Sequence, residues 1–270
     1  MKKYAVTALG ELLIDFTENG QSGQGNPVFE ANPGGAPCNV LAMLAKLGHK
    51  TAFIGKVGND FFGEMLRDTI VEMGIDASAL CIDEHIHTTL ALIHNAPDGE
   101  RDFSFDPNLR PPLWESLEEA RKQVLYGLEH CHILKISDNE IQWLTGKEDY
   151  TEGVGWINER YHIPLILVSM GREGSRAYYK EKMIEALPFL QENTMETTGA
   201  GDTFCGCVLH YICEHGLENL TEENLQEMLM FANAAASLIT TRKGALRVMP
   251  EKEEIEKLIE ERRAIANDRI

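Results

Sequence analysis

The sequence predicts an α/β fold: a mostly parallel central sheet covered by helices, with a small β-strand lid. Three observations predict this class. Apolar runs of strand length alternate with amphipathic helical stretches, two segments leave that alternation, and 270 residues are enough for one large domain with a small appendage. We therefore expect residues 1–270 to form a single α/β domain into which the lid is inserted.

Each element follows from its own hydrophobic pattern. Short apolar runs predict strands near residues 5–10, 52–57, 132–136, 165–170 and 175–179. Stretches with one apolar face predict helices near residues 37–47, 61–73, 115–128, 140–144, 153–161, 203–215, 222–240 and 252–266. The lid strands are predicted at about 16–33 and 85–105, where they would cover a cleft and exclude water from it.

The charge balance and the cysteines limit the partners and the compartment. With 25 Lys and Arg against 43 Asp and Glu, the net charge of −18 repels nucleic acid and anionic membranes, so we expect neither as a partner. The chain shows no signal-like start and no apolar run of the ~20 residues that a membrane span needs, which predicts a cytoplasmic protein. Six scattered cysteines favour free thiols over a disulfide framework.

A glycine motif late in the chain carries the strongest functional signal. In the segment from Thr198 to Asp202, Gly199 and Gly201 lead into a helix that we expect to begin at Asp202. Glycines let backbone amides turn toward a phosphate, and the amino end of a helix adds unpaired donors and a positive dipole. A carboxylate beside a phosphate is repelled unless it has a role, such as accepting the proton of an attacking hydroxyl. Asp202 is therefore the candidate general base. The alternative is a tight turn in which Asp202 only caps the helix.

An earlier pair of glycines marks a second candidate site. Gly34 and Gly35 precede a predicted helix that has Pro37 in its first turn and Asn39 one turn in. Asp15, after the first predicted strand, offers a carboxylate, and Asn39 offers an amide, as a ligand with several hydroxyls requires. The alternative is that Asp15 caps a turn and Asn39 is a polar residue on a helix face.

Three motifs in order suggest a known family. The early glycine pair with Asn39, the glycines of residues 168–174 and the motif ending at Asp202 together resemble the ribokinase-like (pfkB) carbohydrate kinase family. The segments 10–15 and 105–114 are most similar to the fructokinase branch of that family. The resemblance covers nearly the whole chain, and it implies a ribokinase-like three-layer α/β/α domain with a lid.

The resemblance also implies a role for each matching position. The residues that would hold sugar hydroxyls are Asp15, Gly34, Gly35 and Asn39. Asp202 would take the proton of the attacking hydroxyl, beside an anion hole formed by Gly199, Ala200 and Gly201. The residues that would line the nucleotide pocket are Ser169, Gly171, Gly174, Thr198 and Asn233.

Two cation sites are implied by the same resemblance. Mg²⁺ is held in this family mainly through phosphates and water, supported by an Asn-x-x-Glu motif. Here the motif begins with Ser137, and Glu140 is the residue in register. A monovalent cation such as K⁺ would lie near Glu196 and Thr198, where Glu196 replaces the usual Asp and lengthens the side chain by one methylene.

The chain departs from the family pattern after Phe105. Relatives insert one or more strand-helix units, of ~30 residues each, before the segment that here begins at Asp106. Loss of a core strand would expose apolar neighbours and unpaired backbone groups. A deletion in the gene, an engineered deletion and a natural chain longer than this sequence would each explain the break.

The leading functional prediction is ATP-dependent phosphorylation of fructose to fructose 6-phosphate. Other sugars or a nucleoside are alternative substrates, with 2-keto-3-deoxygluconate and ribose as examples, because a few pocket side chains set specificity. From a different class, the break and Ser137 favour a relative that binds nucleotide and sugar without turnover. The expected partners are a sugar, ATP and a second copy of the chain joined through the lid.

Overall fold

The computed structural model describes residues 3–88, 90–93 and 116–267, with the backbone alone at 90–93 and 265–267. The strands are β1 (Val6–Leu9), β2 (Leu13–Gln21), β3 (Pro27–Gly34), β4 (Thr51–Gly58), β5 (Ile75–Asp83), β6 (Leu90–Ile93), β7 (Ile133–Ser137), β8 (Leu165–Ser169), β9 (Ser175–Tyr179) and β10 (Lys182–Ala186). The helices are α1 (Ala36–Lys46), α2 (Phe61–Glu72), α3 (Leu117–Leu128), α4 (Asp138–Thr145), α5 (Tyr150–Tyr161), α6 (Ala200–His215), α7 (Glu222–Ile239) and α8 (Lys252–Asn267).

The main-chain hydrogen bonds arrange the described strands in three sheets. One sheet has the order β1-β4-β5 and is parallel throughout. A second has the order β10-β9-β8-β7, with β7 and β8 parallel and the other pairs antiparallel. The third, which we call the lid sheet, has the order β3-β2-β6. The predicted α/β class with a separate set of lid strands is therefore confirmed.

Helices cover both faces of the second sheet, which gives the predicted three layers. Successive residues of a strand point to opposite faces. In β8, Leu165 and Leu167 join a core built with α1, α6 and α7, whereas Ile166 and Val168 join a separate core with α3, α4 and α5. All four side chains are at most 1% exposed, as expected of a central strand buried on both faces.

The lid sheet is fastened to the rest of the chain at several points. Phe16 of β2 meets Phe62 of α2 edge to face, with ring centroids 5.6 Å apart. Lys243 Nζ donates to Asn19 Oδ1 over 3.0 Å, which ties β2 to the loop after α7. β2 and β3 cover most of the predicted range 16–33 and extend beyond both of its ends. β6 lies within the predicted range 85–105, of which the part beyond residue 93 is outside the described residues.

The sequence analysis did not predict two of the strands, β5 and β10. β5 has one buried residue in nine and β10 one in five, so neither shows the apolar run that predicts a strand. Both end the order of their sheets, where exposed and charged side chains are usual because they discourage edge-to-edge pairing.

The break in the sequence coincides with a break between sheets. Among the described residues, β1 pairs with β4 alone and β7 with β8 alone, so the two core sheets are not joined. Leu9, at the end of β1, is 75% exposed, and Ile54 on β4 is 41% exposed. Such exposure of large apolar side chains on core strands is the consequence expected of a missing neighbour. No helix within the described residues is long and apolar enough to cross a membrane.

Candidate active site

The amino end of α6 is built by the glycine motif. Gly199 is the residue before the helix and has a left-handed backbone with φ 77°, a conformation that other residues adopt at a cost. The helix begins at Ala200, two to three residues earlier than predicted, so Asp202 occupies the third helical position. Asp202 is therefore not the cap, and the interpretation of the motif as a turn capped by Asp202 is wrong.

One backbone amide at this helix end has an acceptor just before the helix. The amide of Ala200 donates to the carbonyl of Thr197 over 3.2 Å. Amides in a first helical turn have no acceptor within the helix, so those of Gly201 and Asp202 are directed out of its end. The side chain of Thr203 closes the turn from within, since Oγ1 donates to the Gly199 carbonyl over 2.7 Å.

Asp202 is joined to the early glycine motif by one hydrogen bond. The Nδ2 of Asn39, on α1, donates to Oδ2 of Asp202 over 2.8 Å. Asn39 is only 4% exposed, and its Oδ1 is buried without a hydrogen-bond partner among the described residues. Asn39 is therefore more than a polar residue on a helix face.

Close packing of α1 against α6 sets this contact. Residues four apart share a helix face, so Met43 lies one turn beyond Asn39 and Gly206 one turn beyond Asp202. A Cβ on Gly206 would lie 2.7 Å from Cβ of Met43 and 3.2 Å from the carbonyl oxygen of Val40. Glycine at 206 thus lets the two helices approach until Asn39 and Asp202 touch.

The early glycines lie at the junction of the lid sheet and α1. Gly34 ends β3 and Gly35 precedes α1, and both are buried. Asp15 lies in β2, not at a turn, and its carboxylate lies over Gly34 so closely that a side chain there would collide with Oδ2. A Cβ on Gly35 would lie 2.6 Å from the carbonyl oxygen of Glu11. The structure therefore brings Asp15 and both glycines together beside the start of the helix that carries Asn39.

Glu196 fixes the loop that follows α7. This side chain is 8% exposed, and its Oε1 accepts the amide of Gly244 over 2.7 Å. The amides of Met195 and Glu196 both donate to the carbonyl of Thr240. Glu196 and its backbone are therefore bonded to both ends of this loop.

The second glycine pair forms the turn after β8. Gly171 begins a single turn of 3₁₀ helix that ends at Glu173. Gly174 has φ 100°, and a Cβ at this position would collide with the carbonyl oxygen of Ala186. Ser169 is the last residue of β8 and pairs with Ser175 of β9. These residues lie at the carboxyl end of β8, the end of a parallel strand where α/β folds bind ligands.

The side chain of Asn233, on α7, forms hydrogen bonds with the residues next to this turn. Its Oδ1 accepts a hydrogen bond from Ser175 Oγ over 2.9 Å. Its Nδ2 donates to the carbonyls of Ala186 and Leu187, at 3.1 and 3.2 Å. Because these bonds occupy the side-chain amide, Asn233 shapes this region through the protein groups that it holds.

Glu140 forms a reciprocal cap with the residue that departs from the family motif. Its Oε2 accepts hydrogen bonds from the amide and the hydroxyl of Ser137, at 2.9 and 2.8 Å. Ser137 Oγ in turn accepts the Glu140 amide, so the pair satisfies both ends of the first turn of α4.

Two cysteines near these residues are buried in the core. None of the six cysteines, all of which lie in the described part of the chain, forms a disulfide, and Cys38 on α1 and Cys207 on α6 are completely buried. Burial raises the pKa of both thiols far above the usual range, so they stay protonated at neutral pH. Neither of these two thiols is therefore available as a nucleophile beside the end of α6.

Comparison with known proteins decides the family. The family model described as pfkB family carbohydrate kinase matches residues 4–108 and 100–252, which is most of the chain. The chain belongs to the pfkB carbohydrate kinase family. Probable fructokinase-4 of Arabidopsis thaliana is 31% identical to it, over 96% of the chain and 97% of the relative.

Solved structures of the same fold agree. The fructokinase of Xylella fastidiosa with bound ATP superposes with a TM-score of 0.82 at 24% identity, covering 95% of the chain and 98% of that structure. The fructokinase of Vibrio cholerae O395 with fructose, ADP and a calcium ion bound gives a TM-score of 0.80 at 22% identity, covering 94% and 98%. Both establish the fold of this pfkB kinase.

The comparisons also locate the break in the chain. The alignment with the Arabidopsis relative spans 318 positions, so at least 48 of them are residues of the relative that these 270 residues lack. The family model matches in two parts that meet at residues 100–108, where the sequence analysis placed the missing segment. The shortening is therefore internal.

Proposed function

We propose that this kinase transfers the γ-phosphoryl group of ATP to a primary hydroxyl of fructose, forming fructose 6-phosphate, with Asp202 as the general base. One observation carries the proposal: the hydrogen bond between Asn39 and Asp202 joins the amino end of α6, the proposed phosphate site, to a residue proposed to bind the sugar. Phosphoryl transfer needs little covalent chemistry from the protein and depends on positioning, charge neutralisation and a base. The end of α6 supplies these.

The anion hole would consist of the outward amides of α6. Those of Gly201 and Asp202 would donate to the transferring group, assisted by the positive end of the helix, equivalent to about half an elementary charge. Gly199 and Ala200 would contribute backbone shape, since the Ala200 amide is held by Thr197. The Asp202 carboxylate, kept in place by Asn39, would accept the proton as the hydroxyl attacks.

The sugar would occupy the space between the lid sheet and α1. A buried polar atom without a partner costs about 1–3 kcal/mol, and Asn39 Oδ1 is such an atom among the described residues. A sugar hydroxyl that donates to it would remove that cost. Asp15 would accept further hydroxyls, while Gly34 and Gly35 would let the backbone approach the sugar ring.

The nucleotide would lie along the turn after β8. Ser169, Gly171 and Gly174 would form one edge of its pocket, and Thr198 would lie at the phosphate end. Asn233 would act indirectly by holding Ser175 and the carbonyl of Ala186. Mg²⁺ would be carried by the phosphates and bound waters, with Glu140 supporting it through water.

A K⁺ ion would be held by oxygen atoms around Glu196 and Thr198. The Glu196 carboxylate already binds the Gly244 amide, so the loop after α7 would close the cation site.

The compartment and the assembly complete the proposal. The cysteine thiols, none of which is in a disulfide, fit a reducing compartment, and we place the activity in the cytoplasm, in a single domain. A second copy would bind along β3, an edge strand of the lid sheet, where Val28 and Phe29 are 39% and 41% exposed.

A nucleotide- and sugar-binding protein without turnover is the second candidate function. The separation of the two core sheets favours it, because the missing segment would lie beside the proposed sugar pocket. Other sugar or nucleoside substrates, such as 2-keto-3-deoxygluconate or ribose, stay within the kinase class and differ only in pocket contacts.

A substrate panel tests these alternatives together. ADP release would be measured with fructose, ribose, 2-keto-3-deoxygluconate and a nucleoside at saturating Mg²⁺, with calorimetry of ATP binding in parallel. The proposal expects fructose to give the highest kcat/KM. Preference for another member of the panel would replace the substrate and keep the reaction. Binding of ATP with no ADP release from any member would establish the second function.

A further inference from the structure

Three potential metal ligands meet at the far end of the contact between α1 and α6. His49 Nε2 lies 2.7 Å from His210 Nδ1 and 4.0 Å from Glu214 Oε1. The ligand atoms of all three side chains lie within 4.8 Å of one another. Within the residues that the structure describes, this is the one group of three or more His, Cys, Asp or Glu side chains close enough to share an ion.

The backbone after α1 fixes the position of His49. Gly48 adopts φ 86°, and its amide donates to the carbonyl of Ala45 over 3.0 Å. The amide of His49 donates to the carbonyl of Leu44, also over 3.0 Å. These two bonds form a Schellman motif, which ends the helix in a defined direction. His49 is therefore held by the helix end, and its side chain is only 12% exposed.

The other two ligands lie on the face of α6 that meets α1. His210 and Glu214 are four residues apart, so they lie on one side of the helix. The same four-residue spacing runs back through Gly206 to Asp202, and the rise of 1.5 Å per residue puts His210 about 12 Å from Asp202 along the axis. The cluster is thus separate from the proposed reaction centre.

We propose that His49, His210 and Glu214 bind a divalent transition metal ion, with Zn²⁺ as the best match, which fastens the segment after α1 to the last turns of α6. Two imidazole nitrogens and one carboxylate oxygen are donors that zinc prefers, and water completes the tetrahedron. Donors about 2.0–2.1 Å from a tetrahedral ion are roughly 3.3 Å apart, so the rings need to separate by less than 1 Å. Glu214, 58% exposed, provides the open side for entry.

The surroundings of His210 disfavour its protonated form. Burial lowers the pKa of His210, and the neighbouring His49, Lys252 and His215 lower it further, against an opposing effect of Glu214. The site would act on stability, because it joins the helices that carry Asn39 and Asp202 without touching either residue.

Metal binding would be measured on the whole protein after treatment with a chelator. Isothermal titration with Zn²⁺ alone is expected to show one equivalent bound and a rise in Tm. His49→Gln and His210→Gln are each expected to weaken binding at least ~100-fold, since loss of an orienting group alone costs about 10- to 100-fold. His215→Gln, next to Glu214 on the same helix, is the matched control and should bind like the original chain. Mg²⁺ should not compete.

Cobalt distinguishes this site from the free thiols. Co²⁺ bound by nitrogen and oxygen shows ligand-field bands without the strong near-ultraviolet charge transfer of a cobalt-thiolate bond. This measurement needs no variant, so it stands even where His49→Gln or His210→Gln fails to fold. Thiolate charge transfer, absence of stoichiometric binding, or affinity unchanged in both folded variants would overturn the proposal.

Discussion

Asn39 and Asp202 lie 163 residues apart in the chain and are joined by a hydrogen bond of 2.8 Å between Nδ2 and Oδ2. The bond spans the contact between α1 and α6, so each helix carries one half of the proposed reaction centre. Gly206 and Met43 lie one turn further along the same contact. The position of the Asp202 carboxylate therefore depends on how these two helices pack, and this dependence can be tested.

Gly206→Ala is expected to destabilise the protein by about 1–3 kcal/mol, because the new methyl group overpacks against Met43. The control is Gly155→Ala in α5, where a Cβ would meet nothing within 4 Å. Both changes remove a helical glycine, which alone stabilises by about 0.5–1 kcal/mol, so Gly155→Ala should gain stability. Urea unfolding measures both. Equal gains in the two variants would show that the helices do not depend on Gly206.

Gly199→Ala is expected to lose both stability and activity. Gly199 and Gly74 share nearly the same backbone, with φ of 77° and 79°, so alanine costs about 1–2 kcal/mol at either position. Only at Gly199 would the methyl group collide, 2.7 Å from Cβ of Ala245. Turnover should therefore fall in Gly199→Ala and stay unchanged in Gly74→Ala. Similar turnover in both would remove the turn from the proposed site.

Asp60 should make stability depend on pH. Its carboxylate accepts hydrogen bonds from the amide and hydroxyl of Thr88 and from the amide of Gly63, and these bonds, the Thr88 amide first, hold its pKa below the usual range. The folded pKa lies below the unfolded one, ~3.9, so the contribution is complete above that pH and is lost as pH falls through the folded value.

Unfolding free energies of Asp60→Asn measure this effect. At pH 7 we expect a loss of up to about 1 kcal/mol, the scale of a carboxylate at a helix amino end. The deficit relative to the original chain should shrink as pH falls below ~3.9. Asp68→Asn, on the exposed side of the same helix, is the control and should show little change. A deficit that stays constant down to the acid limit would contradict the assignment.

The mass of the natural protein should exceed 30.2 kDa. The chain lacks at least 48 positions present in an aligned relative, and Leu9 at the end of β1 is 75% exposed, which a further strand would cover. Mass spectrometry of the protein isolated from its own cells measures this directly. A species at 30.2 kDa would establish that the internal shortening is genuine.

Local patterns explain which elements could be predicted. Each predicted helix is present within about three residues at either end, because the apolar face repeats along it and capping residues such as Ser116 and Thr221 mark the start. β5 and β10 were missed because exposed edge strands lack an apolar run. The start of α6 was misplaced because Gly199 adopts a left-handed backbone that begins the helix early. A glycine can adopt this conformation, but its presence in a sequence does not show that it does.

The sequence suggests the residue types of the candidate site but not the contacts between them. Asp202, Gly34 and Gly35 stood out because glycines and a carboxylate at a helix start have few structural uses. The pairing of Asn39 with Asp202 depends on two helices meeting, which no local pattern encodes. The same is true of Asn233, whose amide is occupied by carbonyls near residue 186.

The kcat of Asp202→Asn with fructose, ATP and Mg²⁺ tests the central claim most directly. The substitution keeps the shape of the side chain and removes its capacity to accept a proton. We expect kcat to fall about 10²- to 10⁴-fold, the usual contribution of a general base, while ATP binding measured by calorimetry is retained. An unchanged kcat in a variant that folds and binds ATP would contradict the role of Asp202 and the mechanism built on it.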